Sequence, residues 1–314
     1  MYGIPPPKSK IKELADIRRH IPKLIQMVDH PIQILWLAEE ANSSDPWPIF
    51  IKIDCGTHRA GVPYMSEEFE QLLQVALKTP EVYIYGFYCH SGHSYNSKSI
   101  EEAEEYLLNE IEHASAAGAI CKKINPDISD FVISVGATPT ANAASTHVKL
   151  RIKELSGNLE LHAGNFPVQD LQQVETGCVR FDDVASWIEA EVCSVYPDRM
   201  EVLVNVGVLG LGREPGREQG IWGRATFPGV SHSESREQRY CWNVIRLSQE
   251  HGIIAPRTKD EEMAKQMVNS VEIGSRVRII PQHACIAGAM YDWYNVVESE
   301  DGPIQDVWIR CRGW

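Results

Sequence analysis

The sequence lacks several features, and each absence excludes a class of protein. No stretch approaches the roughly 18 consecutive apolar residues of a membrane-spanning helix. Basic side chains are in the minority, because 30 Lys and Arg stand against 43 Asp and Glu, for a formal net charge of −13. Such a surface repels phosphate, so neither nucleic acid nor an anionic membrane is expected as a partner. Residues 1–7 contain neither a charged segment nor an apolar run, so no secretion signal is expected.

The sequence also lacks CxxC motifs, in which two cysteines lie close together. The eight cysteines are spread along the chain and none forms a CxxC pair. Without a secretion signal we therefore expect reduced thiols and a cytoplasmic protein. The composition itself is that of a folded protein, with 43% hydrophobic and 23% charged residues. A length of 314 residues is enough for about two domains.

The first two thirds of the sequence alternate between strand and helix patterns. Short apolar strands are predicted at 24–29, 49–54, 82–88, 130–135 and 159–162. Helices are predicted at 8–20, 31–42 and 67–78, and from a cap at Ser99 to about residue 123. This alternation predicts a parallel sheet covered by helices, as in a (β/α)8 barrel or a doubly wound fold. About five strands fall short of the eight that a complete barrel needs.

The last third has a different pattern. β-forming residues dominate at 184–196, 200–212, 271–281, 290–299 and 307–312, and the glycine-rich stretch 207–240 is predicted to form long loops. These patterns predict a second domain of antiparallel strands. We therefore predict a barrel domain over residues 1–184 and a β domain over residues 185–314.

Two loops that follow predicted strands carry reactive side chains. Residues 52–62 read KIDCGTHRAGV and contain Arg59, a fixed positive charge that suits an anionic or phenolic ligand atom. Residues 88–95 read YCHSGHSY and contain Tyr88 and Tyr95, whose hydroxyls can donate to a ligand. In α/β barrels such strand ends form the active site. The alternative interpretation of the first segment is a surface loop with ordinary charges. That of the second is aromatic packing under a loop.

Two later strand ends are rich in small and hydroxyl residues. Thr138 lies in SVGATPT, and Gly164 and Asn165 lie in ELHAGNF. Backbone N–H groups and threonine hydroxyls in such loops suit a phosphate, and barrels often bind phosphate at late strands. Each loop is a weak signal alone, and the two in order are a stronger one.

A candidate metal site lies near the C-terminus. His283 and Cys285 are two residues apart after an apolar run, and side chains at i and i+2 of an extended strand share one side. Imidazole and thiolate together suit Zn²⁺. A buried cysteine beside a hydrogen-bonded histidine is the alternative interpretation.

Five segments together resemble the signature blocks of one family. They are KIDCGTHRAGV, YCHSGHSY, SVGATPT, ELHAGNF and IIPQHACIAGAMYDWYNVV. The chain resembles the eukaryotic-type, zinc-containing D-serine dehydratases and the related D-threonine aldolases. These are fold-type III pyridoxal phosphate enzymes, with an alanine-racemase-like barrel followed by a C-terminal β domain. The resemblance extends along most of the chain, because the five blocks occur in the family's order.

The resemblance implies cofactors, a substrate and an assembly. Pyridoxal phosphate and Zn²⁺ would be bound, a small D-amino acid such as D-serine or D-threonine would be the substrate, and the protein would be a homodimer. The resemblance assigns eight residues, which are Tyr88, Tyr95 and Arg59 at the cofactor, Thr138, Gly164 and Asn165 at its phosphate, and His283 and Cys285 at the zinc ion.

One family feature has no match. The family's Schiff-base lysine lies in a block like RPHxKTHK that is expected upstream of Met1, and Lys52 is not that lysine. The low strand count gives the same expectation, that the first βα units are missing. Three interpretations follow, which are a dehydratase that converts D-serine to pyruvate and ammonia, an aldolase that cleaves Cα–Cβ, and a truncated, non-catalytic relative. A thiolate at Cys285 favours zinc and therefore the dehydratase.

Overall fold

A computed structural model describes residues 3–41, 43–128, 130–152, 155–218, 220–229 and 235–311. The chain divides into two compact units, one ending at Ala163 and the other beginning at Gly164. Residues 1 and 2 lie outside the described residues, as does the last residue of the strand predicted at 307–312. Within those ranges, every helix is too short or too polar to cross a lipid bilayer.

The first unit contains a five-stranded parallel sheet. Its strands are β1 (Gln26–Val28), β2 (Trp47–Lys52), β3 (Val82–Tyr88), β4 (Val132–Val135) and β5 (Asn158–Leu161), and they lie side by side in that order. This confirms the five parallel strands predicted from the apolar runs. Gly86 is required within β3, because a Cβ there would lie 1.9 Å from the carbonyl oxygen of Val132.

Helices connect these strands. They are α1 (Ile11–Arg18), α2 (Pro31–Glu39), α3 (Glu67–Lys78), α4 (Ile100–Ile124), α5 (Thr138–Asn142) and α6 (Thr146–Arg151), with 3₁₀ turns at Lys8–Lys10 and Gly92–Asn96. Serine caps fix two of the starts, since the side chains of Ser66 and Ser99 accept the N–H groups of Phe69 and Glu102. The predicted capping box at Ser99 is only half formed, because Glu102 accepts from the N–H of Lys98 instead.

The core of the first unit lies between the sheet and these helices. β2 is buried along its whole length, as expected for a strand in the middle of a helix-covered parallel sheet. The largest fully buried side chains of the unit are Trp47, Phe50, Phe69, Phe87 and Phe131. This apolar support holds the strand ends in place.

The second unit is built mainly from antiparallel strands. Its elements are α7 (Leu171–Glu175), β6 (Ile188–Tyr196), β7 (Glu201–Val204), α8 (Val208–Leu211), β8 (Gly223–Thr226), α9 (Arg236–Arg239), β9 (Trp242–Leu247), β10 (Gly252–Pro256), α10 (Glu261–Asn269), β11 (Arg276–Pro281), α11 (Ala284–Gly288), β12 (Trp293–Val297) and β13 (Ile304–Ile309), with 3₁₀ turns at Phe181–Asp183 and Pro197–Arg199. Six strands close a barrel in the order β10-β7-β6-β11-β8-β9, and β12 pairs with β13. The predicted antiparallel β domain is therefore confirmed.

Two local predictions in this unit are wrong. Residues 200–212 form a strand only as far as Val204 and then the short helix α8. The stretch 207–240, predicted as loops, contains β8 and the helices α8 and α9. β8 was missed because its sequence GRAT has no apolar alternation, and its Gly223 allows close packing, since a Cβ there would lie 2.9 Å from the oxygen of Ile280.

The segment between Gly164 and residue 184 belongs by its contacts to the second unit. A small apolar cluster joins this segment to later strands and loops, and its buried members are Leu171, Phe181, Val184, Tyr240 and Ile280. The sequence pattern instead changes from mixed α/β to β near residue 184. The domain ranges 1–184 and 185–314 therefore stay a prediction drawn from that pattern.

Candidate active site

Three side chains cluster at the carboxyl ends of the parallel strands. Lys52 ends β2, Tyr88 ends β3 and His162 directly follows β5. The Lys52 Nζ lies 4.7 Å from the centre of the Tyr88 ring, and this ring stacks on His162 with centroids 4.2 Å apart and an interplanar angle of 11°. The cluster occupies the edge of the sheet at which α/β proteins bind ligands.

Burial changes the protonation of this cluster. Lys52 is only 4% exposed, and burial is the main cause that lowers the pKa of its ammonium group. Burial also raises the pKa of Tyr88, so its hydroxyl keeps its proton at neutral pH. Arg59 is itself exposed. Its positive charge also lowers the pKa of Lys52, and at Tyr88 it opposes the rise in pKa that burial causes. Lys52 is therefore easier to deprotonate than a surface lysine.

The family's Schiff-base lysine is a separate question from Lys52. In the family this lysine belongs to a block that has no match in residues 1–314, and its position stays a prediction. Lys52 does lie in the cluster, but the family blocks assign it no such role.

Two histidines at these strand ends, His90 and His162, are neutral at physiological pH. Burial, followed by the charge of Arg59, lowers the pKa of His90 to about 4. Burial, followed by the nearby His90, lowers the pKa of His162 to about 3. Ser134 Oγ donates to Glu160 over 2.9 Å, so it accepts from His162 Nδ1 over 3.2 Å. The His162 Nε2 is then an unprotonated acceptor, and it is buried without a partner among the described residues.

The loop after β2 is fixed by its own hydrogen bonds. The Asp54 carboxylate accepts the N–H groups of Gly56 and His58 over 3.0 and 3.1 Å, and the His58 ring over 2.7 Å. Thr57 connects this loop to the next, because its hydroxyl donates to the His90 oxygen and accepts the N–H of Gly92. The strand-end loops thus support one another.

Gly136 allows close contact between two strand ends. Its φ is +143°, and a Cβ there would lie 2.1 Å from the carbonyl oxygen of His162. The Gly136 oxygen accepts from His90 Nδ1 over 2.8 Å. Thr138, which begins α5 two residues later, is fully buried.

The other residues assigned by resemblance lie in different surroundings. Tyr95 is half-buried in the 3₁₀ turn after β3. Gly164 and Asn165 belong to the second unit, where Gly164 is exposed and Asn165 is buried and donates to Asp170. Their roles at the cofactor and its phosphate stay predictions.

The candidate metal site has a geometry that differs from the predicted one. β11 ends at Pro281, His283 precedes α11 and Cys285 is the second residue of that helix. The prediction that both side chains project from one extended strand is therefore wrong. The helix begins here because the N–H of Ala284 donates to Asp170 Oδ2 over 2.8 Å.

The residues around this position supply part of a metal site. His283 Nδ1 is buried and has no hydrogen-bond partner among the described residues. Cys285 is exposed as a residue, and partial burial followed by the charge of Asp170 raises the pKa of its thiol. No group of three or more His, Cys, Asp or Glu side chains in the described ranges could hold a metal ion. An unpartnered imidazole nitrogen and a thiol are thus available as two ligands.

Asp170 accepts several hydrogen bonds at this position, and a substitution tests how much they contribute to the free energy of unfolding. It accepts from Asn165 Nδ2 and from the N–H groups of Gln173 and Ala284. Asp170→Ala leaves the backbone N–H groups of Gln173 and Ala284 without this acceptor, so we expect the free energy of unfolding to fall by about 2–3 kcal/mol in urea titrations. Asp260→Ala, which removes an exposed cap bond to Met263, should cost only about 1 kcal/mol. Equal effects of the two variants would contradict this role of Asp170.

The sequence motifs do not single out three residues that contact these sites, which are His162, Asp170 and Glu110, whose carboxylate accepts the N–H of Ser91 in the loop after β3. His162 lies in a quoted block but received no role, and Asp170 and Glu110 were not considered. Glu110 could have been found, because it lies in the apolar stripe of α4 with Leu107, Ile111 and Ala114. A carboxylate inside such a stripe signals a buried polar contact.

Comparison with known proteins places the chain in a family. Residues 5–151 match the alanine racemase N-terminal domain, and residues 185–297 match the domain described as a putative serine dehydratase domain. The D-serine dehydratase of Schizosaccharomyces pombe is 41% identical over the whole chain and 73% of its own length. That of Saccharomyces cerevisiae is 39% identical over 87% of the chain and 64% of its own length.

Solved structures give the same fold. D-threo-3-hydroxyaspartate dehydratase from Delftia sp. HT23 superposes with a TM-score of 0.79 at 25% identity, covering the whole chain and 79% of the other protein. D-threonine aldolase from Filomicrobium marinum superposes with a TM-score of 0.71 at 17% identity, over 97% of the chain and 73% of the aldolase, and shows the fold alone. The alanine-racemase-like architecture expected from the five blocks is confirmed, and the chain belongs to the D-serine dehydratase family, whose members are pyridoxal phosphate-dependent lyases.

Proposed function

We propose that this protein is a D-serine dehydratase that converts D-serine to pyruvate and ammonia. The supporting observation is the buried cluster of Lys52, Tyr88 and neutral His162 at the strand ends of a family member. The reaction balances, because D-serine, C₃H₇NO₃, yields pyruvic acid, C₃H₄O₃, and NH₃. The partner is thus a small D-amino acid.

The residues of the cluster fit pyridoxal phosphate. When bound, pyridoxal phosphate supplies an electron sink for negative charge at the substrate Cα. The buried acceptor His162 Nε2 and the flat faces of Tyr88 and His162 suit an aromatic ring that carries hydrogen-bond donors. Lys52 Nζ, with its lowered pKa, can hold or release a proton at this edge.

The further cofactor contacts are proposed from the family blocks. Tyr88, Tyr95 and Arg59 would bind the cofactor, and Thr138, Gly164 and Asn165 would surround its phosphate. Buried Thr138, which follows Gly136, is consistent with a site whose backbone approaches a ligand closely. We also propose a cytoplasmic homodimer, as the family resemblance implies.

We propose that His283 and Cys285 bind one Zn²⁺ ion. A bound zinc ion supplies a Lewis acid that stabilises a departing hydroxyl. The unpartnered His283 Nδ1 and the Cys285 thiol form a nitrogen and sulfur donor pair, which zinc prefers. Asp170 supports both residues, because it accepts the N–H of Ala284, which lies between His283 and Cys285 at the start of α11. With two protein ligands, positions remain for water or substrate.

The alternative is a D-threonine aldolase, whose fold this chain shares. Cys285 favours the dehydratase, because a thiolate selects zinc whereas a Mn²⁺ site prefers a carboxylate. D-threonine distinguishes the two reactions. Dehydration gives 2-oxobutyrate and ammonia, whereas cleavage of Cα–Cβ gives glycine and acetaldehyde.

The test is product analysis with D-threonine in the presence of pyridoxal phosphate and zinc, with L-threonine as the control. We expect 2-oxobutyrate from the D-isomer and no product from the L-isomer. Glycine as the main product would establish the aldolase. A protein that binds both cofactors and gives no product from any D-β-hydroxy amino acid would be the non-catalytic relative.

A further inference from the structure

Glu110 connects the loops that follow two neighbouring strands. It lies in the middle of α4 and is fully buried. Its Oε1 accepts the backbone N–H of Ser91 in the loop after β3, and its Oε2 accepts the hydroxyl of Thr140 over 3.0 Å. Thr140 belongs to α5, which directly follows β4. Each oxygen of this carboxylate therefore accepts a hydrogen bond from a different strand-end loop.

Thr140 extends this connection to the residues around the cluster. Its Oγ1 also accepts the N–H of Ala137 over 2.8 Å, which fixes the backbone beside Gly136 and Thr138. The Gly136 oxygen in turn accepts from His90 Nδ1. The backbone on both sides of the predicted phosphate contact Thr138 thus depends on Glu110 through Thr140.

This arrangement is energetically costly. Burial raises the pKa of Glu110 to about 7, although hydrogen bonds from Ser91, Thr140 and Gly136 oppose that rise. A raised carboxyl pKa means that folding favours the protonated form, so its contribution to stability is lost as pH rises through about 7. A leucine or glutamine would fill the same volume without that cost. Both hydrogen bonds to the loops are strongest when the carboxylate is ionised.

We propose that Glu110 is a positioning residue for the proposed reaction, whose ionised carboxylate holds the loops at 89–97 and 136–140 in the arrangement that binds the cofactor. This inference rests on the proposed function, because those loops contain Tyr95 and Thr138. Protonation removes the carboxylate charge that strengthens both hydrogen bonds, so the connection between the two loops weakens. Cofactor binding should therefore weaken as pH falls through about 7.

Five other titratable groups of the described residues lie near Glu110 and could affect its ionisation. They are Lys52 at the end of β2, Cys55 in the following loop, Tyr88 and Cys89 at the end of β3, and His93 in the 3₁₀ turn packed on α4. Burial raises the pKa of Tyr88 and of Cys89 and lowers that of His93. These three groups therefore stay neutral near pH 7, and Lys52 favours the ionised form of Glu110.

The test compares Glu110→Gln with Glu104→Gln. Glu104 is a matched control, because it is buried on the same helix and contacts Ser145 and His147 instead. At pH 8 we expect Glu110→Gln to bind pyridoxal phosphate about tenfold more weakly than wild type, whereas Glu104→Gln binds normally. At pH 5.5 wild type and Glu110→Gln should bind alike. Comparing the proteins at each pH removes the titration of the cofactor phosphate, which ionises near pH 6.

A second readout does not require the cofactor. Hydrogen exchange of the Ser91 amide should be slower in wild type than in Glu110→Gln at pH 8, after correction for intrinsic rates, and equal in both at pH 5.5. If Glu110→Gln does not fold, Thr140→Val removes the same connection from its other end, and Thr140→Ser should restore it. Affinity and exchange that match wild type at every pH would overturn the proposal. A protein without D-serine turnover would refute the proposed function, while these two readouts would still decide the role of Glu110.

Discussion

Replacing Cys285 with alanine is expected to abolish binding of the proposed zinc ion and to lower kcat for D-serine about a hundredfold or more. Even residues that only orient metal ligands contribute about 10–100-fold to metal affinity or activity, and the ligand itself should contribute more. The thiol is exposed, and His283, two residues earlier, has a buried Nδ1 with no hydrogen-bond partner among the described residues, so the two side chains are the proposed ligands. The measurement is zinc per chain by elemental analysis, together with kcat before and after added zinc.

The matched control is Cys193→Ala. Cys193 is also exposed in the second unit, but its thiol donates to the backbone oxygen of Glu191. We expect this variant to keep both zinc and activity, and His283→Ala to behave like Cys285→Ala. Zinc retained at one ion per chain in both Cys285→Ala and His283→Ala would rule out this site.

Gly136→Ala is expected to lower the free energy of unfolding of the first unit by about 3 kcal/mol or more. The added Cβ would lie 2.1 Å from the oxygen of His162, and the backbone has a φ of +143° that L-residues rarely adopt. Relief of this contact must separate the ends of β4 and β5, which disturbs the stack of His162 on Tyr88. We therefore also expect loss of pyridoxal phosphate binding.

Hydrogen exchange of the β2 amides in rising urea measures this effect, because β2 lies in the first unit and is buried along its whole length. Gly3→Ala provides the comparison, since a Cβ there would meet nothing within 4 Å and the substitution restricts the unfolded chain equally. It should change stability by less than about 0.5 kcal/mol. A Gly136→Ala protein as stable as Gly3→Ala would show that these strand ends are not tightly packed.

Local patterns in the sequence were sufficient for much of the first unit. The helix at 67–78 and the strand at 82–88 were predicted with their exact bounds, because Ser66 caps the helix and both segments have clear apolar periods. The number and parallel direction of the strands followed from the alternation of elements. The family blocks then pointed to the strand ends where Lys52 and Tyr88 lie.

Contacts between distant segments could not be predicted in this way. Cys285 was placed on an extended strand, but the bond from the N–H of Ala284 to Asp170 starts a helix there. Glu110 is joined to Ser91 and Thr140 only by the packing of α4 against the sheet. β8 became a strand because β11 and β9 pair with it, not because of its own composition. In each case tertiary contacts outweighed the local pattern.

The most direct test of the central proposal follows D-serine by proton NMR with the protein, pyridoxal phosphate and zinc. The account predicts that D-serine disappears while pyruvate and ammonium appear in a 1:1 ratio, and that L-serine stays unchanged under the same conditions. Glycine formed from D-serine, or equal consumption of both enantiomers, would contradict it.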